Sequence, residues 1–305
     1  MSNAPIGVLV MAYGGPASLD EVPGYLADIR SGRVTPRRVV DEITDHYKHI
    51  GGKSPILDIS RRQAAALQAA LGAGFSCRVG MRHWAPWIED VVGEMAEEGI
   101  RKAVGVVLAP HYSRMNTERY FSKIQDGRRL YSAPIQFSNV KSYHTSPSLI
   151  EALARRVQEG IERWPAAERS KVHVVFSAHS LPARTLGDGD PYDAQLRETA
   201  ALVAGKAGLT QEKWSWSYQS AGKSPEPWLG PQLEDHIPEL ARRGIRDVVA
   251  VPVGFVADHV EILYDIDIEA RAAAEKAGVR LERPPALNDD PLFIQALAEA
   301  VRAAL

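Results

Sequence analysis

The chain has 305 residues, 45 % of them apolar and 24 % charged, with 36 basic against 38 acidic side chains and a single cysteine, Cys77. That length suits about two domains, and the composition is that of a globular protein with material for sizeable cores. The net charge of −2 offers nucleic acid no attractive field, and one cysteine excludes an intrachain disulfide, a thiolate zinc site and a four-cysteine iron–sulfur cluster.

The opening MSNAPIGVLVMAYGGP carries a short apolar run with no basic lead. It predicts a first strand at 6–12, not a signal peptide. Further strands are predicted at 75–81, 103–109, 135–140, 172–177, 213–218, 247–253 and 279–283. Several are continuous apolar runs, as in parallel strands covered on both faces. Amphipathic helical patterns fall between them, at 60–71, 87–98, 147–160, 193–206, 232–243 and 291–304. The alternation predicts parallel α/β layers. No apolar run approaches the length of a membrane span, and the C-terminal helix ends at Leu305 without an anchor or lipidation signal. With low cysteine use, this leads to the expectation of a cytoplasmic protein without integral membrane contact; a monomer is expected.

Two segments repeat. WIEDVVGEMAEEGIRKAVGVVLAP (87–110) aligns without gaps on QLEDHIPELARRGIRDVVAVPVGF (232–255), identical at nine of 24 positions. IGVLVMAYGGP (6–16) likewise aligns on VHVVFSAHSLP (172–182), which sets Tyr13 on His179. The repeat predicts two similar α/β domains, 1–145 and 146–305, with the C-terminal helix free to pack back on the first. Ligands of open α/β sheets bind beyond the carboxyl ends of the strands, where Tyr13 and His179 would lie.

GGKS (51–54) and AGKS (221–224) look like half a phosphate-binding loop, but the required earlier glycine is Tyr47 in one and Ser217 in the other, and Pro follows each. Nucleoside triphosphate binding is rejected, and no GxGxxG follows the first strand to suggest a dinucleotide. ADHVEILYDIDIEARAAAE (257–275) predicts one helix with Asp258 as N-cap. Glu261, Asp265 and Glu269 recur on it at i, i+4 and i+8. Like charges so spaced repel. The row is either a solvated acidic face near a helix N-terminus or, with His179 at the same rim, a site for a loosely held divalent cation or for protons. RHWAPW (82–87), PHYSRMNTERY (110–120) and WSWSYQSAGKSPEPWLGP (214–231) are aromatic loops that either pack locally or line a flat ligand. His144, His173 and His236 receive no role.

LVMAYGGP, DHYKHIGGKSP, GMRHWAPWIEDVV, FSAHSLP, YQSAGKSPEPWLGP and VGFVADHVEILYDID together resemble the ferrochelatase family, of the short soluble bacterial kind, over essentially the whole length. The resemblance implies two Rossmann-like domains with a cleft between them, each a four-stranded parallel sheet flanked by helices. It implies insertion of ferrous iron, as substrate, into a porphyrin, with no organic cofactor and no iron–sulfur cluster. It makes His179 and Glu261 metal ligands and proton acceptors, with Asp265 and Glu269 continuing the row as further metal or proton groups. Tyr13 matches the tyrosine of members that use coproporphyrin III to make coproheme, where it approaches iron from the other face. Arg30, Ser54 and Tyr120 match propionate-binding positions, with Tyr47 beside them. The family pattern has arginine at His46, so that contact lacks its guanidinium here.

Metallation strips two pyrrole protons and the water shell of the ion, which a neutral imidazole with a carboxylate can do near neutral pH. The alternatives are a protoporphyrin IX ferrochelatase, a cobalt or nickel tetrapyrrole chelatase, and a haem or porphyrin carrier. A carrier would need no acidic row.

Overall fold

Continuous apolar runs become buried parallel strands. In the computed structural model, which describes residues 4–222 and 224–305, Val8, Leu9, Val10 and Met11 are wholly buried, as are Val174, Val175 and Phe176. Along the chain run β1 (Ile6–Ala12), α1 (Val22–Ile29), α2 (Arg37–His49), α3 (Ile56–Leu71), β2 (Phe75–Met81), α4 (Ile88–Glu97), β3 (Lys102–Val107), α5 (Thr117–Leu130) and β4 (Gln136–Val140). There follow α6 (Pro147–Ile161), β5 (His173–His179), α7 (Arg184–Gly187), α8 (Tyr192–Lys206), β6 (Trp214–Gln219), α9 (Leu233–Arg242), β7 (Asp247–Val251), α10 (Val260–Leu263), α11 (Arg271–Lys276), β8 (Arg280–Glu282) and α12 (Pro291–Ala303). Each predicted strand is present within two residues of its expected bounds. Helices α1, α2, α5 and α7 lie outside the predicted helical patterns; α2 buries only Tyr47, so its sequence shows no apolar stripe. Lys223 of the second GKS string lies outside the described residues.

The chain divides into two compact units, 1–143 with 288–305, and 144–287. The first holds a parallel sheet of order β2-β1-β3-β4, the second one of order β6-β5-β7-β8. In the first unit, Leu9 and Met11 join Ile88, Val91, Met95 and Ile124 of α4 and α5 in one core. There α12 packs on α3, started by Asp290, whose carboxylate accepts from Leu292 N at 2.9 Å. In the second unit Val175, Val248 and Ala250 pack on Leu233, Ile237 and Leu240 of α9 and on Ile266 and Ala270.

The repeat extends to strand register and side-chain bonds. Gly7 pairs with Ala103, and at the equivalent positions His173 pairs with Val248. The arginine of each GIR string closes its helix in the same way. Arg101 Nη1 donates to the carbonyls of Ala96 and Ile100 at 3.4 and 3.1 Å, and Arg246 Nη1 to those of Ala241 and Ile245 at 2.5 and 3.3 Å. A cation on the last carbonyls of a helix is favoured by its dipole. The glycine two residues before each arginine, Gly99 and Gly244, has φ of +84° and +86°, a conformation that disfavours any side chain. Such a shared Gly–Ile–Arg device explains why that string survives in both copies.

The single helix predicted over 257–275 is instead the one-turn α10, a π turn at Asp265–Ala270, and α11. Tyr264 O accepts from both Ile268 N and Glu269 N at 3.0 Å, and the five-residue bond widens the turn. Asp258 is not the N-cap. That position is His259, without a side-chain cap bond, because the Asp258 carboxylate is taken by Arg283 Nη1 at 2.9 Å.

The histidines left without a role are structural partners. His144 pairs with Glu198 at 2.9 Å. Ser215 Oγ lies 2.9 Å from His173 Nε2 and 2.8 Å from His236 Nε2. Burial, with the Arg243 charge and His236 next, holds His173 down to about 4 from an ordinary 6.5. Between these values the unfolded chain takes up a proton that the folded one refuses. The stability gained from a neutral His173 is therefore whole above pH 6.5 and lost as pH falls toward 4, in total on the order of 3 kcal/mol. His173→Gln, which can still bond Ser215, is expected to flatten the fall in Tm between pH 7 and pH 4.5, as calorimetry of the two proteins would register; parallel curves would reject the assignment.

Candidate active site

β5 ends at His179, and the chain after β7 brings Glu261 to it. A methyl group on Gly254 would lie 2.5 Å from Ala178 Cβ, so only glycine lets the turn after β7 cross so close to the end of β5. His179 Nδ1 lies 2.9 Å from Glu261 Oε2, and both side chains are about a third exposed, 32 and 30 %. With the Nδ1 proton donated to the carboxylate, Nε2 presents its lone pair and has no protein partner among the described residues. His259 donates from Nδ1 to Ala257 O at 2.9 Å, leaving Nε2 at 4.0 Å from the same Glu261 oxygen.

The pair is anchored from behind. Gln219, 2 % exposed, donates from Nε2 to Glu261 O at 2.6 Å, while its Oε1 accepts from Ser177 Oγ at 2.8 Å. Tyr192 OH donates to His179 O at 3.1 Å. Ser220, at φ +59°, a strained conformation for serine, donates its hydroxyl to Asp265. Glu269 is exposed at the outer end of the row.

The electrostatics separate the carboxyls. Burial works against charge on His179, but the Glu261 charge and hydrogen bond, with Asp265 beyond, raise its pKa above the ordinary value. Burial would raise Glu261, yet the His179 charge and bond, with His259, hold it down at about 2. Burial and then the Glu261 charge push Asp265 up to about 7, against the Ser220 bond. Near neutral pH the row thus holds a fixed anion at Glu261 and a titrating carboxyl at Asp265. Among the described residues no three His, Cys, Asp or Glu groups converge on one point. An incoming ion would meet the two donors His179 and Glu261, with its other positions left to water or substrate.

The first unit carries the other predicted residues. Tyr13, equivalent to His179 in the repeat, packs at a tilt of 53° against the ring of His83, centroids 4.6 Å apart, and His83 Nδ1 is 2.7 Å from Asp28. The Arg82 guanidinium lies 5.7 Å from the Tyr13 ring and 5.3 Å from that of Tyr120. Behind the same strand end, a methyl on Gly15 would meet Ser54 Oγ at 2.5 Å and Tyr47 OH at 3.6 Å, so Tyr47 and Ser54 sit together. Arg30 stands exposed at the end of α1, engaged by no acid among the described residues, and His46 is half-buried on α2. Arg82, Gln219, Ser220 and Tyr192 escaped sequence reasoning. They lie in the aromatic loops already singled out or beside His179, but nothing in their spacing marks one loop residue from the next.

The ferrochelatase family model matches residues 5–305. The chain belongs to the ferrochelatase family. It is an enzyme of the metal-inserting chelatase class. A ferrochelatase of Deinococcus radiodurans is 55 % identical over 303 residues, 98 % of this chain and 96 % of that protein. A coproporphyrin III ferrochelatase of a Geobacillus species is 39 % identical over 307 residues, 99 % of this chain and 98 % of that one. Among solved structures, the sirohydrochlorin chelatase SirB of Bacillus subtilis subspecies spizizenii shares the fold, with a TM-score of 0.55 at 12 % identity over 98 % of this chain and 95 % of that one. Among the described residues of this ferrochelatase-family chain, no helix is long and apolar enough to cross a membrane.

Proposed function

We propose that this chain inserts ferrous iron into coproporphyrin III to give coproheme, a step of haem biosynthesis. The observation that carries the choice of porphyrin is Tyr13 at the strand end equivalent to that of His179, with the Arg82 cation set between its ring and that of Tyr120. A phenol oxygen there suits oxidised iron as a ligand. Arg30, His46, Tyr47, Ser54 and Tyr120 offer polar partners for propionates, of which coproporphyrin has four and protoporphyrin two. The names of the Geobacillus relatives point the same way.

The reaction so read is ligand exchange and proton transfer, with no electron changing hands. Iron trades waters for His179 Nε2 and for the Glu261 oxygen not spent on Nδ1. As the pyrrole nitrogens take the metal, Nε2 is released and accepts one of the two protons they shed, its charge held by Glu261. Asp265, poised near neutral pH, takes the second proton and passes it outward to Glu269 and solvent.

A charge-assisted hydrogen bond contributes roughly 1.5–3 kcal/mol. Losing two propionate contacts should therefore lower kcat/KM about a hundredfold or more for protoporphyrin IX relative to coproporphyrin III, under identical detergent-free conditions. A ratio near one would sink the substrate assignment. Arg30→Ala is expected to lower the ratio more than it lowers turnover at saturating porphyrin, and an unchanged ratio would remove Arg30 from the site. Many turnovers per protein would separate an enzyme from a stoichiometric carrier.

A further inference from the structure

The segment that carries Glu261 and Asp265 departs from a regular α-helix. It consists of the one-turn α10 and a π turn, and neither is a long hydrogen-bonded helix that would persist alone. One side chain from outside is bonded on both sides of the Glu261–Asp265 pair. Arg283, just after β8 and with its side chain 8 % exposed, donates from Nε and Nη2 to the two oxygens of Asp267 at 2.8 and 2.6 Å. Its Nη1 donates to Asp258 Oδ1 at 2.9 Å and to Pro284 O at 3.0 Å. Asp258 stands three residues before Glu261, and Asp267 two after Asp265.

We infer that Arg283 is a positioning residue for iron insertion: its fork, by holding Asp258 and Asp267 at once, fixes the π turn and so the placement of Glu261 against His179 and of Asp265 against Ser220. The two aspartates it holds are spent on it, which separates them from the acidic row. A planar guanidinium can satisfy both carboxylates together, whereas the compact ammonium of lysine cannot reproduce the bidentate grip on Asp267. Without the fork, two half-buried carboxylates lose their counter-charge beside a row that is already anionic, and the π turn is free to relax toward α-helical spacing.

The inference rests on reading Glu261 as the group that works with His179, and the test separates the two. Arg283→Lys, Arg283→Met, Asp267→Asn and Glu261→Gln would be compared with Arg246→Ala, which removes a helix-closing cation of the same unit away from His179. Measured are kcat, KM for ferrous iron, the coproporphyrin III dissociation constant by fluorescence quenching, and Tm. Arg283→Met is expected to lower kcat at least about thirtyfold and raise KM for iron, with porphyrin affinity within about twofold; Arg283→Lys and Asp267→Asn should lose about tenfold. Combining Arg283→Lys with Glu261→Gln should cost no more than Glu261→Gln alone. Should Arg283→Met not fold, the lysine and Asp267→Asn variants carry the same comparison. The inference is overturned if folded Arg283 variants keep kcat within threefold, or if their loss matches that of Arg246→Ala at equal change in Tm. Normal turnover by Glu261→Gln would instead overturn the reading of Glu261.

Discussion

His179→Ala is expected to lower iron insertion by at least about a thousandfold while the protein stays folded and binds coproporphyrin III with affinity within a few-fold. The variant removes Nε2, which serves both as metal ligand and as proton acceptor, and each of those roles is worth roughly a hundredfold or more. The imidazole stands at the end of β5, about a third exposed, and fills no part of the core, so Tm should move by no more than a few degrees. Stopped-flow absorbance for metallation, with fluorescence quenching for porphyrin binding, reads the two effects apart. Near-normal turnover would remove His179 from the chemistry. Lost porphyrin affinity would make it a binding residue instead.

Glu261→Gln is expected to cost at least about a hundredfold in kcat, the lower range for loss of a general base. Glutamine keeps the shape and can still meet His179 Nδ1, so the deficit reports charge and not a cavity. The pH profile should change as well. In the native protein burial works against the His179 proton, but the Glu261 anion more than offsets it. Iron needs the lone pair, so activity falls as pH drops through that raised pKa. With the anion gone burial dominates, His179 sheds its proton more readily, and the acidic limb should move to lower pH even as the plateau drops. A limb that stays where it was would show that another group sets it.

β1, β3, β5 and β7 were legible because each carries a run of apolar residues buried on both faces of its sheet, and the two similar halves were legible because 6–16 and 87–110 recur at 172–182 and 232–255. Gly99 and Arg101, with their copies Gly244 and Arg246, repeat because each copy closes its helix by the same local bonds. His179 stood out as a titratable residue at the end of an apolar run, and Glu261 through its spacing with Asp265 and Glu269. The partners of the site were hidden, since hydrogen bonds between residues tens of positions apart leave no periodic trace. Gln219 reaches Glu261 across 42 positions, Arg82 reaches Asn116 across 34, and both read as ordinary loop polar residues. Asp258 shows the limit most clearly. By local rules it is a good N-cap, and it yields that role because burying the Arg283 guanidinium requires a second carboxylate. The chain's own pattern sets which residues form strands and which titratable groups surface at their ends. Folding settles which acid serves as base, which as relay and which as counter-ion, because that depends on a partner brought from elsewhere in the chain.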